Sequence, residues 1–197
     1  MTPSIFARII CAVVGMAMMG TGGCASSSRG VYSTLSADHR NPLRAQQLTT
    51  KAAELMQRDP AKAEELLRQA LSADLFHGPA HNDLGVLELK RNRYYEAANE
   101  FEWARKLMPG HPDPRMNLAL TLEKAGRIDE ALATYGTALE VYPGHIPTME
   151  ALARLQIRHD RTDDRTAGML KEIALSGETE QWRQWAQQQM FKSSPAH

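Results

Sequence analysis

The 197-residue sequence predicts an all-α fold built from stacked antiparallel helix pairs. The main observation is a pattern that returns after 34 residues, in which Ala97, Phe101, Ala104 and Pro109 recur as Ala131, Tyr135, Ala138 and Pro143. Steps of four and three residues keep the first three side chains of each set on one face of a helix. The proline that closes each set stops the helix there. A repeat of this length is typical of stacked supersecondary units, which present a long concave face to a partner.

The first unit is predicted over residues 42–77. Asn41 followed by Pro42 is typical of a helix start, with a capping side chain before a proline at the first helical position. Its two helices are joined by a short turn at Asp59–Pro60. The predicted buried faces are Leu48, Ala52 and Leu55 on the first helix and Ala63, Leu67 and Ala70 on the second.

The second and third units are predicted over residues 78–111 and 112–145. In each unit, a polar turn joins the two helices, at Lys90–Arg93 in the second unit and at Lys124–Arg127 in the third. In the later turn, Gly126 can adopt the left-handed conformation that ends a helix. Small residues let the helix backbones approach closely, and the rings of Phe101 and Tyr135 fill the space between them.

These units resemble the tetratricopeptide repeat (TPR), a 34-residue helix–turn–helix whose signature includes Leu-Gly, Ala, an aromatic residue, Ala and a closing Pro. Residues that match this signature are Leu84, Gly85, Ala97, Phe101, Ala104 and Pro109 in the second unit, and Leu118, Leu122, Ala131, Tyr135, Ala138 and Pro143 in the third. The second unit departs at His81 and Glu88, where the family usually has Trp and Tyr, and the third has Ala119 for the small residue. The resemblance implies a right-handed superhelix over residues 42–160. Within it, residues 146–160 form the first helix of a fourth unit, and residues 161–197 follow as C-terminal capping helices.

The resemblance also implies a partner-binding groove, because ligand-facing residues in this family lie one turn apart on the first helix of each unit. By position these residues are Asn82, Val86, Leu89, Met116, Leu120, Glu123, Glu150, Arg154 and Ile157. Four of them (Val86, Leu89, Met116 and Leu120) make an apolar stripe that suits an amphipathic helix or an extended apolar peptide. Two alternatives stay open: the chain's own tether or terminal helix covers the stripe, or the stripe belongs to the core.

Residues 1–23 are predicted to be a lipoprotein-type signal peptide. They contain no acidic residue and one basic residue, Arg8, followed by an apolar and small-residue run of 11 positions from Ile9 to Met19. This run is too short to cross a bilayer core of ~30 Å as a mature helix, but it suits the central region of a secretory signal.

The segment around Cys24 resembles the lipobox of bacterial lipoproteins, in which small residues precede a cysteine that is diacylated and becomes the new first residue. Thr21 stands where that motif usually has Leu, and the alternative is ordinary signal cleavage near Ala25. Because Cys11 leaves with the signal, Cys24 is the only cysteine of the expected mature chain and has no partner for an internal disulfide. Two acyl chains give stable attachment to a membrane. Ala25 after the cysteine resembles the signal for the outer membrane, and residues 24–41 are expected to be a flexible tether.

Composition and motifs argue against other function classes. Without Arg8 the chain has 22 basic residues (23 minus 1) against 23 acidic ones, which gives no broad electrostatic drive toward nucleic acid. The sequence has no phosphate-binding loop, no Gly-x-Ser-x-Gly turn and no zinc-protease motif. His77, His111 and His145 recur at one position of successive units, expected to be loops about 10 Å apart, which is too far to share a zinc ion with bonds of ~2.0–2.1 Å.

The sequence therefore predicts a lipid-anchored TPR scaffold or assembly factor, facing the periplasm from the outer membrane of a bacterial envelope. Its expected partner is another envelope protein that offers a peptide or an amphipathic helix. The alternative is a non-catalytic regulatory subunit of an envelope enzyme such as a cell-wall hydrolase. No enzymatic activity, cofactor, metal, nucleic acid or small-molecule substrate is expected.

Overall fold

The computed structural model describes residues 40–193, and every regular element in this range is an α-helix. The helices are α1 (Pro42–Leu55), α2 (Pro60–Ala73), α3 (Gly78–Lys90), α4 (Tyr94–Leu107), α5 (Asp113–Lys124), α6 (Ile128–Val141), α7 (Ile146–Arg158), α8 (Asp164–Ser176) and α9 (Glu180–Ser193). The predicted signal peptide, Cys24 and nearly all of the predicted tether lie outside the described residues.

Consecutive helices pack as pairs, and the pairs stack. The pairs are α1 with α2, α3 with α4, α5 with α6, and α7 with α8, while each second helix also packs against the first helix of the next pair. Helix α9 packs on α8 and closes the stack. The predicted all-α fold of stacked helix pairs with a C-terminal capping segment is therefore confirmed. In the fourth pair, α8 takes the place of a second helix although the repeat residues are missing from its sequence.

Local sequence signals fix where the helices begin and turn. The Asn41 side chain accepts a hydrogen bond of 2.9 Å from the Arg44 amide, which caps α1 as predicted. The turns after α3, α5 and α7 each contain one residue with positive φ, and these three residues are spaced by 34: Asn92 (59°), Gly126 (79°) and Asp160 (52°). The left-handed turn expected at Gly126 is therefore repeated in the units on either side of it.

The residues of the repeat pattern form the core. Ala97, Phe101 and Ala104 are fully buried on α4, and their counterparts on α6 are fully buried as well. The two departures from the family pattern, His81 and Glu88, are also buried and have polar partners. His81 Nδ1 lies 2.7 Å from a carboxylate oxygen of Glu100, and Glu88 forms an ion pair with Arg93. Burying a polar group where the family has an aromatic ring is thus compensated by a hydrogen bond or an ion pair.

Candidate functional site: a concave groove

The predicted ligand-facing residues lie on α3, α5 and α7, the first helices of three successive pairs. Four of them, Val86 and Leu89 on α3 with Met116 and Leu120 on α5, pack against the core and stay partly exposed. We call these four residues the groove stripe. Because they pack against the core and remain partly exposed, they form an apolar surface that is held in place and is still accessible to water. Ile157 on α7 has the same partly exposed character.

A side-chain amide contact joins α3 to α5 beside the groove stripe. Asn117 Nδ2 donates a hydrogen bond of 3.0 Å to Asn82 Oδ1, and Asn82 Nδ2 donates one of 3.3 Å to the Asp83 carboxylate. Burial raises the pKa of Asp83, and the bond from Asn82 opposes that shift. The Asn82 side chain therefore bonds to its neighbours within the fold and links α3 to α5.

A cluster of charged side chains joins α5 to α7. Glu123 accepts hydrogen bonds from Arg154 Nη2 at 3.2 Å, from Arg158 Nη1 at 3.1 Å and from the Tyr135 hydroxyl at 3.3 Å. Only 8% of the Glu123 side chain is exposed, against 36% for Arg154 and 52% for Arg158. Burial, followed by the nearby Glu123 charge, raises the pKa of Tyr135. The carboxylate is thus used within the fold, whereas both guanidinium groups keep surface for a further anion.

Glu150 does not line the open groove, contrary to the prediction. Its residue is 4% exposed, and its carboxylate accepts a hydrogen bond of 3.0 Å from the backbone amide of Glu178. Burial raises the pKa of Glu150, and that bond opposes the shift. The physical reason is that the chain between α8 and α9 covers this position of α7, so the carboxylate caps that chain segment.

A row of cations along the groove is the feature that the sequence reasoning missed. Lys90, Lys124 and Arg158 are the last residues of α3, α5 and α7, are exposed, and are spaced by 34 residues. We call these three residues the basic row. The 34-residue spacing could have revealed it, but Lys90 and Lys124 were interpreted as parts of the polar turns.

The three recurring histidines lie in the inter-repeat loops, as predicted. Asp113 lies between two of them, with its carboxylate 3.6 Å from His111 Nδ1 and 3.3 Å from His145 Nε2. Among the described residues, no group of three or more His, Cys, Asp or Glu side chains has an arrangement that could hold a metal ion. Within residues 40–193, none of the helices combines the length and apolar character needed to span a membrane.

Comparisons with known proteins agree with this architecture. Family models described as "Tetratricopeptide repeat" match residues 52–112 and 88–155. The mouse protein "Tetratricopeptide repeat protein 8" is 26% identical over 98 residues, which cover 50% of this chain and 19% of that protein. The chain thus matches about a fifth of the length of this curated relative.

Two solved structures show the same fold. The first TPR of Spaghetti (RPAP3), bound to the HSP90 peptide SRMEEVD, superposes with a TM-score of 0.58 at 14% identity, covering 62% of this chain and 98% of that one. The crystal structure of MamA superposes with a TM-score of 0.58 at 18% identity, covering 77% of this chain and 83% of that one. This chain therefore carries tetratricopeptide repeats over residues 52–155, and its described part is an all-α TPR superhelix.

Proposed function

We propose that this protein is a non-catalytic scaffold or assembly factor of a bacterial cell envelope. In this proposal its concave groove binds a peptide or helix of another envelope protein. The observation that carries the proposal is the groove stripe, a partly exposed apolar surface that runs across α3 and α5. Two further points support it: TPR domains are generally protein-interaction modules, and the structurally similar Spaghetti domain holds a peptide.

The physical basis of the binding is apolar burial. Each 100 Å² of apolar surface that a partner covers contributes roughly 2.5 kcal/mol before the costs of association are subtracted. Met116 adds adaptability, since its unbranched side chain can fit different partners. Leu89 and Leu120 can each be changed to Asp, and because both positions reach water, the new charges remain solvated in the free protein.

The test is site-specific photo-crosslinking in the native cell. A photoreactive residue at Leu120 should capture a defined envelope protein, and the capture should disappear when Leu89→Asp is added. The matched control places the same residue at Glu140, an exposed position on α6. The groove proposal is wrong if both positions capture the same set of proteins, or if Leu89→Asp leaves a folded protein with unchanged capture. Capture of a cell-wall hydrolase whose rate changes on binding would favour the regulatory-subunit alternative.

The membrane anchor is a separate part of the proposal, because Cys24 lies outside the described residues. Its support is the sequence pattern alone: an apolar signal, small residues and then the cysteine. Cys24→Ser should abolish acylation and move the protein from the membrane fraction to the soluble fraction. Retention of the Ser variant in salt-washed membranes would contradict the lipid anchor and leave the groove proposal untouched.

A further inference from the structure

The basic row follows the groove stripe along the groove. Lys90 lies four residues after Val86, Lys124 four residues after Leu120, and Arg158 four residues after Arg154. Residues four apart lie on the same face of a helix, one turn from each other. Each member of the row therefore continues the groove-facing side of its helix by one turn.

Within residues 40–193, two of these cations have no acidic partner. Lys90 and Lys124 form no ion pair with any residue that the structure describes, whereas Arg91 pairs with Glu64 and Arg127 pairs with Glu130.

The third cation, Arg158, shares one carboxylate, Glu123, with Arg154. Counting Lys90, Lys124, Arg154 and Arg158 against Glu123 gives four positive charges minus one negative charge, a net charge of +3.

The helix dipole alone does not explain this pattern. A cation at a helix C-terminus is favoured by ~0.3–1 kcal/mol, and this preference applies to every helix alike. Yet α2, α6 and α8, the second helices of three pairs, have no basic residue in their last turn. On α4 the last-turn Arg105 is paired with Glu102, and Lys106 lies over the Trp103 ring. The groove helices α3, α5 and α7 all have basic last turns. This distribution points to a ligand with negative charge beside its apolar surface.

The distance between members of the basic row indicates the secondary structure of that ligand. The contact from Asn117 to Asn82 shows that α3 and α5 are neighbours, and the contacts of Glu123 show the same for α5 and α7. Neighbouring helices pack about 10 Å apart. Seven residues of an α-helix rise about 10.5 Å and complete nearly two turns, so acids seven residues apart lie on one side at this spacing. In a β-strand three residues cover about 10 Å, but side chains three apart point to opposite faces.

Building on the function proposed above, we propose that the groove recognises an acidic amphipathic helix of a partner protein. Its apolar face lies on the groove stripe, and acidic residues that recur every seventh position pair with Lys90, Lys124 and Arg158. Apolar contact supplies most of the affinity, and the basic row selects acidic partners and their register, since exposed ion pairs are individually weak.

Three synthetic helical peptides of three heptads each test this proposal against the detergent-purified full chain. All have the same leucine face; one carries Glu once per heptad beside that face, one carries Gln there, and one carries the same Glu residues out of heptad register. At low salt the heptad-Glu peptide should bind about tenfold more tightly than the Gln peptide, and the difference should shrink as salt is raised. The out-of-register peptide should bind like the Gln peptide.

Charge-reversal variants assign the effect to the basic row. The double variant Lys90→Glu/Lys124→Glu should lose the preference for the heptad-Glu peptide, while Lys171→Glu, at an exposed site on α8, should retain it. Circular dichroism verifies that each variant is folded, which is expected because all three lysines are exposed.

Each contrary outcome has a distinct meaning. If the heptad-Glu and Gln peptides bind equally well, the basic row does not select acidic partners. If that equal binding is also lost in a folded Leu89→Asp/Leu120→Asp variant, the groove stripe is still the binding surface. Equal binding of a proline-containing, extended peptide with an acid at every third residue would overturn the helical ligand. If none of the peptides binds, both this proposal and the groove proposal are wrong.

Discussion

Gly85 on α3 marks a close approach of two helices within one unit. A Cβ atom added there would lie 2.7 Å from Cε1 and 2.9 Å from Cδ1 of the Phe101 ring on α4. Phe101 is fully buried and Gly85 is buried, so the ring has no solvent space into which it can retreat. Gly85→Ala should therefore overpack this contact at a cost of about 1–3 kcal/mol. The better helix propensity of Ala offsets about 0.5–1 kcal/mol of this cost. The middle of the two ranges leaves a net destabilisation of about 1 kcal/mol.

Gly136 on α6 provides the matched control. A Cβ atom at Gly136 would meet nothing within 4 Å, so Gly136→Ala changes helix propensity without overpacking. This variant should be more stable than the parent protein by about 0.5–1 kcal/mol. Thermal unfolding followed by circular dichroism measures both variants, with about 2–4 °C expected per kcal/mol for a chain of this size. The same chemical change should thus lower the melting temperature at Gly85 and raise it at Gly136.

If Gly85→Ala raises the melting temperature as much as Gly136→Ala does, the Phe101 ring moves aside at little cost and the two helices are not tightly packed at Gly85. A double-mutant cycle that combines Gly85→Ala with Phe101→Leu tests the assigned contact directly. A smaller side chain opposite the added methyl group should relieve the clash, so the coupling free energy between the two sites should be at least about 0.5 kcal/mol. Additive effects would place the strain elsewhere.

Three further predictions concern stability. Ala131→Leu, at a fully buried site, should cost about 1–3 kcal/mol in thermal unfolding, whereas Ala133→Leu, at an exposed site of the same helix, should stay within about 0.5 kcal/mol. Asp163→Ala removes the capping box that Asp163 forms with Thr166 at the start of α8, and urea unfolding should show a loss of about 1 kcal/mol. Burial lowers the pKa of His77 below its ordinary value of about 6.5, so the unfolded chain takes up a proton more readily. Stability should therefore fall as pH drops through about 6.5 toward the folded-state pKa, and urea midpoints for His77→Gln should show a weaker fall.

The helix pairs and their buried faces could be predicted because local signals and the repeat agree at every level. The steps from Ala97 to Phe101 and Ala104 define one face of α4, and all three side chains are fully buried in the structure. Asn41 was expected to cap α1, and its side chain bonds the backbone as a cap does. Such features depend on residues a few positions apart, and the 34-residue period then transfers them from one unit to the next.

The burial of Glu150 could not be predicted because it depends on a contact with a segment outside the repeat. By register, Glu150 corresponds to Met116, which stays partly exposed in the groove. Its burial comes from the amide of Glu178, in a segment where the repeat pattern has ended and therefore gives no position. The basic row was visible in the sequence, but Lys90 and Lys124 were assigned to turns, whereas the structure extends α3 and α5 through them.

Glu123 connects the stability of the fold to the charge of the groove. It pairs with Arg154 and Arg158, so an acidic ligand that approaches the end of the basic row competes with a carboxylate of the protein itself. Glu123→Gln keeps the shape of the side chain but removes its negative charge and replaces one acceptor oxygen with an NH2 donor. The variant should be less stable in urea unfolding, because the two arginines lose their counter-ion, and it should bind the heptad-Glu peptide several-fold more tightly, because the net charge of that cluster rises by one. Glu140→Gln, at an exposed site on α6, should change neither property. Weaker peptide binding by a folded Glu123→Gln variant would mean that Glu123 positions the arginines for the ligand instead of competing with it.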